Sequence, residues 1–381
     1  MKKPQSKPRS IFVEVGAEGP APVAPATPRR REPERRAIAV WLSLLFALVV
    51  AMIAVGGATR LSDAGLSITE WRPVTGALPP GDEAAWQAEF DRYRATPQFE
   101  LANPEMTLPE FKSIYWWEWG HRQLGRAIGA VWALGFLWFA LRRRIPPGWT
   151  PRLLGLGVLG GLQGAIGWWM VASGLAPGMV SVAPVRLAIH LGLAFLILGL
   201  IAWYVMALRR TEADLLQARR QRNEGLMAWG TALTALAFVQ ILLGALVAGL
   251  DAGRTYMEWP LMGGGLFPPD GLDLTPVWLN FIENPGLVQF DHRVAAYLLL
   301  VVALIAWVRS RRSAMVHIRR AFDAMILMVL AQVGLGIATV LHGAQLHVAL
   351  THQAGAVATF VLILRARFAA LHPRAQKIAR G

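Results

Sequence analysis

Residues 186–208 read RLAIHLGLAFLILGLIAWYVMAL. From Leu187 to Leu208 no Asp, Glu, Lys or Arg interrupts the run. That is enough to cross the roughly 30 Å of bilayer hydrocarbon, for which about 20 residues are needed. Yet His190 lies near its start, at membrane depth, where an ionisable side chain is costly and usually serves a function.

Seven further segments read the same way: 37–57, 121–141, 152–172, 226–249, 290–308, 320–341 and 348–369. The chain has 381 residues, 55% of them hydrophobic and 16% charged, with a positive mean hydropathy, so a polytopic membrane protein is expected. Lipid cannot satisfy exposed backbone polar groups, and the alternating pattern of barrel strands is absent. The predicted fold is therefore an all-α polytopic membrane protein with eight transmembrane helices, arranged as two pseudo-symmetric four-helix bundles.

The net charge of +14 would suggest nucleic acid in a water-soluble protein, but its distribution points elsewhere. Basic residues cluster at Arg29–Arg31, Arg35–Arg36, Arg142–Arg144, Arg209–Arg210, Arg219–Arg222, Arg309–Arg312 and near the C-terminus. With eight alternating helices these clusters share one side, and the positive-inside rule places both termini in the cytoplasm. The partner is membrane lipid, with no nucleic acid. The absence of cysteine excludes disulfides, thiolate metal sites and thiol catalysis.

The halves repeat each other. Asp63-Ala64-Gly65 followed by Glu70-Trp71 and Pro73 is echoed by Asp251-Ala252-Gly253, Glu258-Trp259 and Pro260. His121-Arg122 is echoed by His292-Arg293, Gln163 and Gly167 by Gln332 and Gly336, and His190 by His352. Parallel repeats of this kind are a known membrane architecture. The expected organisation is a disordered cytoplasmic tail (1–36) and an N-terminal bundle (37–210) with an outer loop (58–120). A linker (211–225), a C-terminal bundle (226–370) and a cytoplasmic tail (371–381) follow.

Four histidines thus open the second, fourth, sixth and eighth segments: His121, His190, His292 and His352. Facing pairs of neutral imidazoles in bundle cores are suited to axial ligation of haem iron. A hydrogen bond to a neighbouring helix accounts for any one of them as well, but not for four at symmetric positions. His317, His342, His347 and His372 fall outside the pattern and read as surface residues, His347 being the nearest to a ligand. Arg122, Arg126 and Arg293 lie close to the ligand candidates, where forked guanidinium donors suit carboxylates such as haem propionates. Ordinary interfacial snorkelling is the alternative for each. Glu118 shares a helix face with His121, three residues on. The second half carries the non-ionisable Gln289 instead, so one site is expected to do chemistry and the other to transfer electrons or stabilise the fold.

Taken together, several runs resemble the haem A synthase family: Gly56-Gly57-Ala-Thr59-Arg60 into Asp63-Ala64-Gly65, Trp71-Arg72-Pro73, and Glu118-x-x-His121-Arg122 with Gly125-Arg126. Arg186-Leu-Ala-x-His190, Val288-Gln289-Phe-x-His292-Arg293 and His352-Gln-Ala-Gly355 complete the set, over about residues 38–372. Without cysteine, the chain looks like the proteobacterial and mitochondrial subgroup. The resemblance implies oxidation of the C8 methyl of haem O to a formyl group by successive hydroxylations, giving haem A for cytochrome oxidase. It implies haem b ligated by His292 and His352, haem O as substrate bracketed by His121 and His190, and catalysis involving Glu118. The expected location is a bacterial inner membrane. A haem O synthase handing over substrate, an electron donor and a homo-oligomer are partners that the sequence leaves open. A di-haem electron carrier is the competing reading, and a transporter a more distant one.

Overall fold

The structure, a computed structural model, describes residues 32–374. Eight helices are long and apolar enough to cross a membrane: α1 (Glu32–Leu61), α2 (Leu108–Leu141), α3 (Thr150–Gly174), α4 (Pro184–Leu208), α5 (Glu224–Gly249), α6 (Pro285–Ser310), α7 (Val316–Leu341) and α8 (Leu346–Leu371). Among the described residues the only β pairing is an isolated bridge between Met262 and Gly265. The polytopic all-helical fold is as the sequence predicts.

Helix ends differ from the apolar runs because capping, not hydropathy, decides where a helix begins. The helix α1 starts at Glu32, with Glu32 and Glu34 in its first turn, where carboxylates suit the positive end of the helix dipole. The tail expected over 1–36 therefore yields its last five residues to the helix, and residues 1–31 lie outside the described residues. The expected outer loop also ends early. A capping box of Thr107 and Glu110 starts α2 well before His121. The expected linker 211–225 contains a helix, Glu212–Arg220, whose N-cap Thr211 accepts from the Asp214 amide.

Each half closes a ring of four helices: α1 packs on α2 and α4 while α3 packs on α2 and α4, and α5 to α8 repeat that scheme. The rings meet through α1, α4, α5 and α8, whose buried Leu42, Leu45, Phe195, Leu198, Leu233, Phe360 and Ile363 lie in one core. The helices α2 and α3 stay peripheral.

The segment between α1 and α2 folds over the long-loop end. Its helices Glu83–Arg94 and Pro97–Ala102 bury Trp86, Phe90, Tyr93 and Phe99 against Phe111 and Tyr115 of α2. Burial lifts the Tyr93 hydroxyl above its ordinary pKa, although Asn103 hydrogen-bonds it.

Candidate functional site: two histidine pairs

All four histidines sit towards the long-loop end of their helices, and each lies against a glycine of the neighbouring helix. A Cβ on Gly56, Gly167, Gly244 or Gly336 would come within 3.2, 2.9, 3.0 or 3.2 Å of His121, His190, His292 or His352 respectively. Four glycines thus make room for four imidazoles, in the same relation in both halves. The His292 and His352 ring centroids are 6.4 Å apart with planes at 78°.

Three histidines have an amide partner. Gln163 of α3 donates to the His190 carbonyl at 3.1 Å, Gln240 of α5 to the His292 carbonyl at 3.0 Å, and Gln332 of α7 to the His352 carbonyl at 2.9 Å. The same amide nitrogens lie 3.2, 3.1 and 3.2 Å from Nδ1 of those rings. The Gln163 and Gln240 nitrogens lie almost as close to Nε2 of the same rings, 3.3 Å in each case, so these amides touch both ring nitrogens as well as the backbone carbonyl. Sequence reasoning noted the Gln163–Gly167 and Gln332–Gly336 spacings only as marks of duplication. It missed Gln240–Gly244, although the same four-residue spacing was there to find.

Glu118 is not the solvated helix-end carboxylate that its position allows; it is only 2% exposed. It accepts from Ser67 Oγ at 2.8 Å, from the Ile68 amide at 2.8 Å, and from Arg122 at 3.1 and 2.6 Å. In the second half Gln289 is equally buried and donates to the Tyr256 carbonyl at 3.0 Å. Both side chains pin the loop that follows the first helix of their half.

The arginines share this duplicated clasp. Arg122 donates to the Ile68 and Glu70 carbonyls, and Arg293 to those of Tyr256 and Glu258. The two loops turn alike, with Asp63 at φ 51° and Asp251 at φ 50°, a left-handed conformation that Asp tolerates better than most residues. Arg126 donates to the Pro73 and Arg72 carbonyls. Much of each guanidinium is thus committed to backbone. Among the described residues, Arg126 Nη1 and Arg293 Nε are nevertheless buried without partners. Arg126 also lines a cavity of about 380 Å³ with Arg72, Arg92, Arg122, Glu89 and Tyr115.

The remaining histidines divide. His342 and His347 are exposed, so His347 does not join His352. His372 is a correction: it is 3% exposed, not a surface residue. Its ring lies 4.6 Å from Phe368 and accepts from Arg219 Nε at 3.2 Å.

An eight-helix membrane protein of two repeated rings, each presenting a glycine-backed histidine pair near one end, defines the class. Residues 39–364, which include all four histidines, match the COX15-CtaA family, "Cytochrome oxidase assembly protein", and the chain belongs to that family. It is similar to "Heme A synthase" of Dinoroseobacter shibae, with 61% identity covering 98% of both chains. A Ruegeria protein of the same name is 59% identical, covering 97% of this chain and 98% of its own. That of Paracoccus denitrificans is also 59% identical, covering 96% of this chain and 97% of its own.

Proposed function

We propose that this chain is a haem A synthase, an oxidoreductase that converts the C8 methyl group of haem O to a formyl group through successive hydroxylations. The observation that carries this reading is the 59–61% identity, over nearly the full length of both chains, to proteins of that name.

The residues divide the work between the halves. His292 and His352 would hold haem b. Their ring centroids are 6.4 Å apart, close enough for both imidazoles to reach one iron, since a ligating nitrogen sits about 2 Å from its metal. The buried Nε of Arg293 offers a propionate a donor that no protein group uses. When bound, haem b supplies one-electron chemistry.

In the first half His121 and His190 bracket haem O, and Arg126 Nη1 meets one of its propionates. Glu118 serves as proton acceptor or hydrogen-bond partner for the hydroxymethyl intermediate. Ser67, Ile68 and Arg122 hold its carboxylate in one place, which spares the reaction any cost of orienting it. Gln289 cannot take up a proton, and this difference separates a reacting half from an electron-supplying half.

The basic short-loop end faces the cytoplasm of a bacterial inner membrane, with both histidine pairs towards the other side. A haem O synthase delivering substrate, an electron donor and a second copy of the chain are the partners that this chemistry allows.

The test is the haem content of the purified protein by extraction and mass detection. One haem b per chain is expected, and His292→Leu or His352→Leu should lose it. Unchanged haem b in either variant would refute the ligand assignment.

A further inference from the structure

The pattern around the four histidines has one exception. Gln163, Gln240 and Gln332 each stand four residues before the glycine that backs a histidine. At the fourth glycine, Gly56, the residue four before is Met52. Its methyl group points to the next turn of α2, 3.4 Å from where a Cβ of Gly125 would be. Among the described residues no hydrogen bond reaches the His121 ring, whereas the other three histidines each have an amide that donates to their backbone carbonyl and lies against their ring.

Gly56 meets His121 through Nε2 and Cδ2, the atoms that a half-turn of the ring exchanges with the Cε1 and Nδ1 facing Gly167, Gly244 and Gly336, so the four imidazoles share one placement and differ in their partners. A thioether is flexible and a weak acceptor, so Met52 gives the His121 ring no partner of the kind an amide gives.

We propose that the two N-terminal ligands are unequal: His190 is the fixed one, and His121 is the one that lets go, opening the substrate iron on its α2 side. This rests on the reading that His121 and His190 bracket haem O. The opened side belongs to the helix that carries Glu118, one turn away from His121. Product leaves by the same asymmetry, because a haem held by one fixed ligand exchanges more readily than one held by two. The C-terminal pair has Gln240 on one side and Gln332 on the other, as suits a cofactor that stays.

Carbon monoxide is the probe, added to the reduced, haem-O-loaded protein and followed by optical difference spectra. The doubly held C-terminal pair should not react, so uptake reports the N-terminal site. Wild type is expected to bind carbon monoxide. Met52→Gln supplies the missing amide at the spacing used three times elsewhere, and should slow binding by about tenfold or more. Independently, His121→Ala should retain haem O to within a few-fold, while His190→Ala should lose retention by about tenfold or more. Wild-type carbon monoxide kinetics in a haem-loaded Met52→Gln, or equal haem O loss from both histidine variants, would overturn the proposal. Full haem O retention in both histidine variants would instead remove the substrate-site reading on which it rests.

Discussion

Gln353 of α8 donates its side-chain amide to the Ile53 carbonyl of α1 at 2.7 Å, across the boundary between the two halves. Gln353 follows His352 directly, and Ile53 lies one turn before Gly57 and close to Gly56, the glycine that backs His121. One hydrogen bond therefore links the helix that carries His352 to the helix whose Gly56 backs His121.

That link gives the first prediction. A Cβ at Gly57 would run into Gln353 Oε1, so Gly57→Ala must displace the Gln353 side chain. Loss of the bond costs about 1 kcal/mol. Thermal unfolding in detergent should shift down by a few degrees, with haem b retained. An unchanged midpoint would show that Gln353 re-forms the contact elsewhere.

Glu118 both anchors a loop and is proposed to do chemistry, and one substitution separates these roles. Gln289 shows that an amide is accommodated at the equivalent position. Glu118→Gln should leave the protein folded and haem-loaded while lowering haem A formation by about 100-fold, within the range for loss of a positioned acid or base. Activity within a few-fold of wild type would reduce Glu118 to an anchor.

Under the proposed ligation of haem b by His292 and His352, the amides against those residues should matter to binding more than to folding. Gln240→Leu and Gln332→Leu each remove an amide that fixes the backbone of a histidine and lies against its ring, and loss of an outer-shell partner typically costs about 10–100-fold in metal affinity. Haem b dissociation to an apoprotein acceptor, followed spectroscopically, should accelerate accordingly. Wild-type dissociation in both variants would contradict that role.

His372 makes stability depend on pH. Burial, then the nearby Arg219, Arg210 and Arg367, push its imidazole down to about 4. The unfolded chain protonates this group first as pH falls below about 6.5, so its contribution is complete above that value and is lost between about 6.5 and 4. His372→Phe should flatten the fall in thermal stability between pH 7 and 5, and His372→Ala should destabilise at neutral pH by about 1 kcal/mol because its ring no longer packs on Phe368 or accepts from Arg219. A pH profile unchanged in His372→Phe would assign the loss to other groups.

Residues differ in how far the sequence alone discloses their place. The eight spans could be read because an uninterrupted apolar run of membrane length is what a bilayer-crossing helix requires and a surface helix does not. The histidine positions and the duplicated Asp-Ala-Gly loops were legible because both halves carry them. The start of α2 at Leu108 was not, since polar and aromatic turns precede its apolar run and a capping box sets the boundary. The burial of Glu118 was hidden because its partners, Ser67 and Ile68, are about 50 residues away in sequence. His372 misled because basic neighbours suggest a solvated stretch, whereas Phe368 and Arg219 enclose it from two different helices. The Met52 exception needed the structure, because only the contact of Gly56 with His121 reveals which spacing to compare.

The most direct measurement is to express this chain in a bacterial host that makes haem O but lacks haem A, and to separate the extracted haems by chromatography with mass detection. Haem A synthesis predicts haem A or its hydroxymethyl precursor in those membranes, and about 100-fold less in cells expressing Glu118→Gln. A rise in haem b alone, in proportion to the protein and with haem O untouched, would contradict it and leave a di-haem electron carrier.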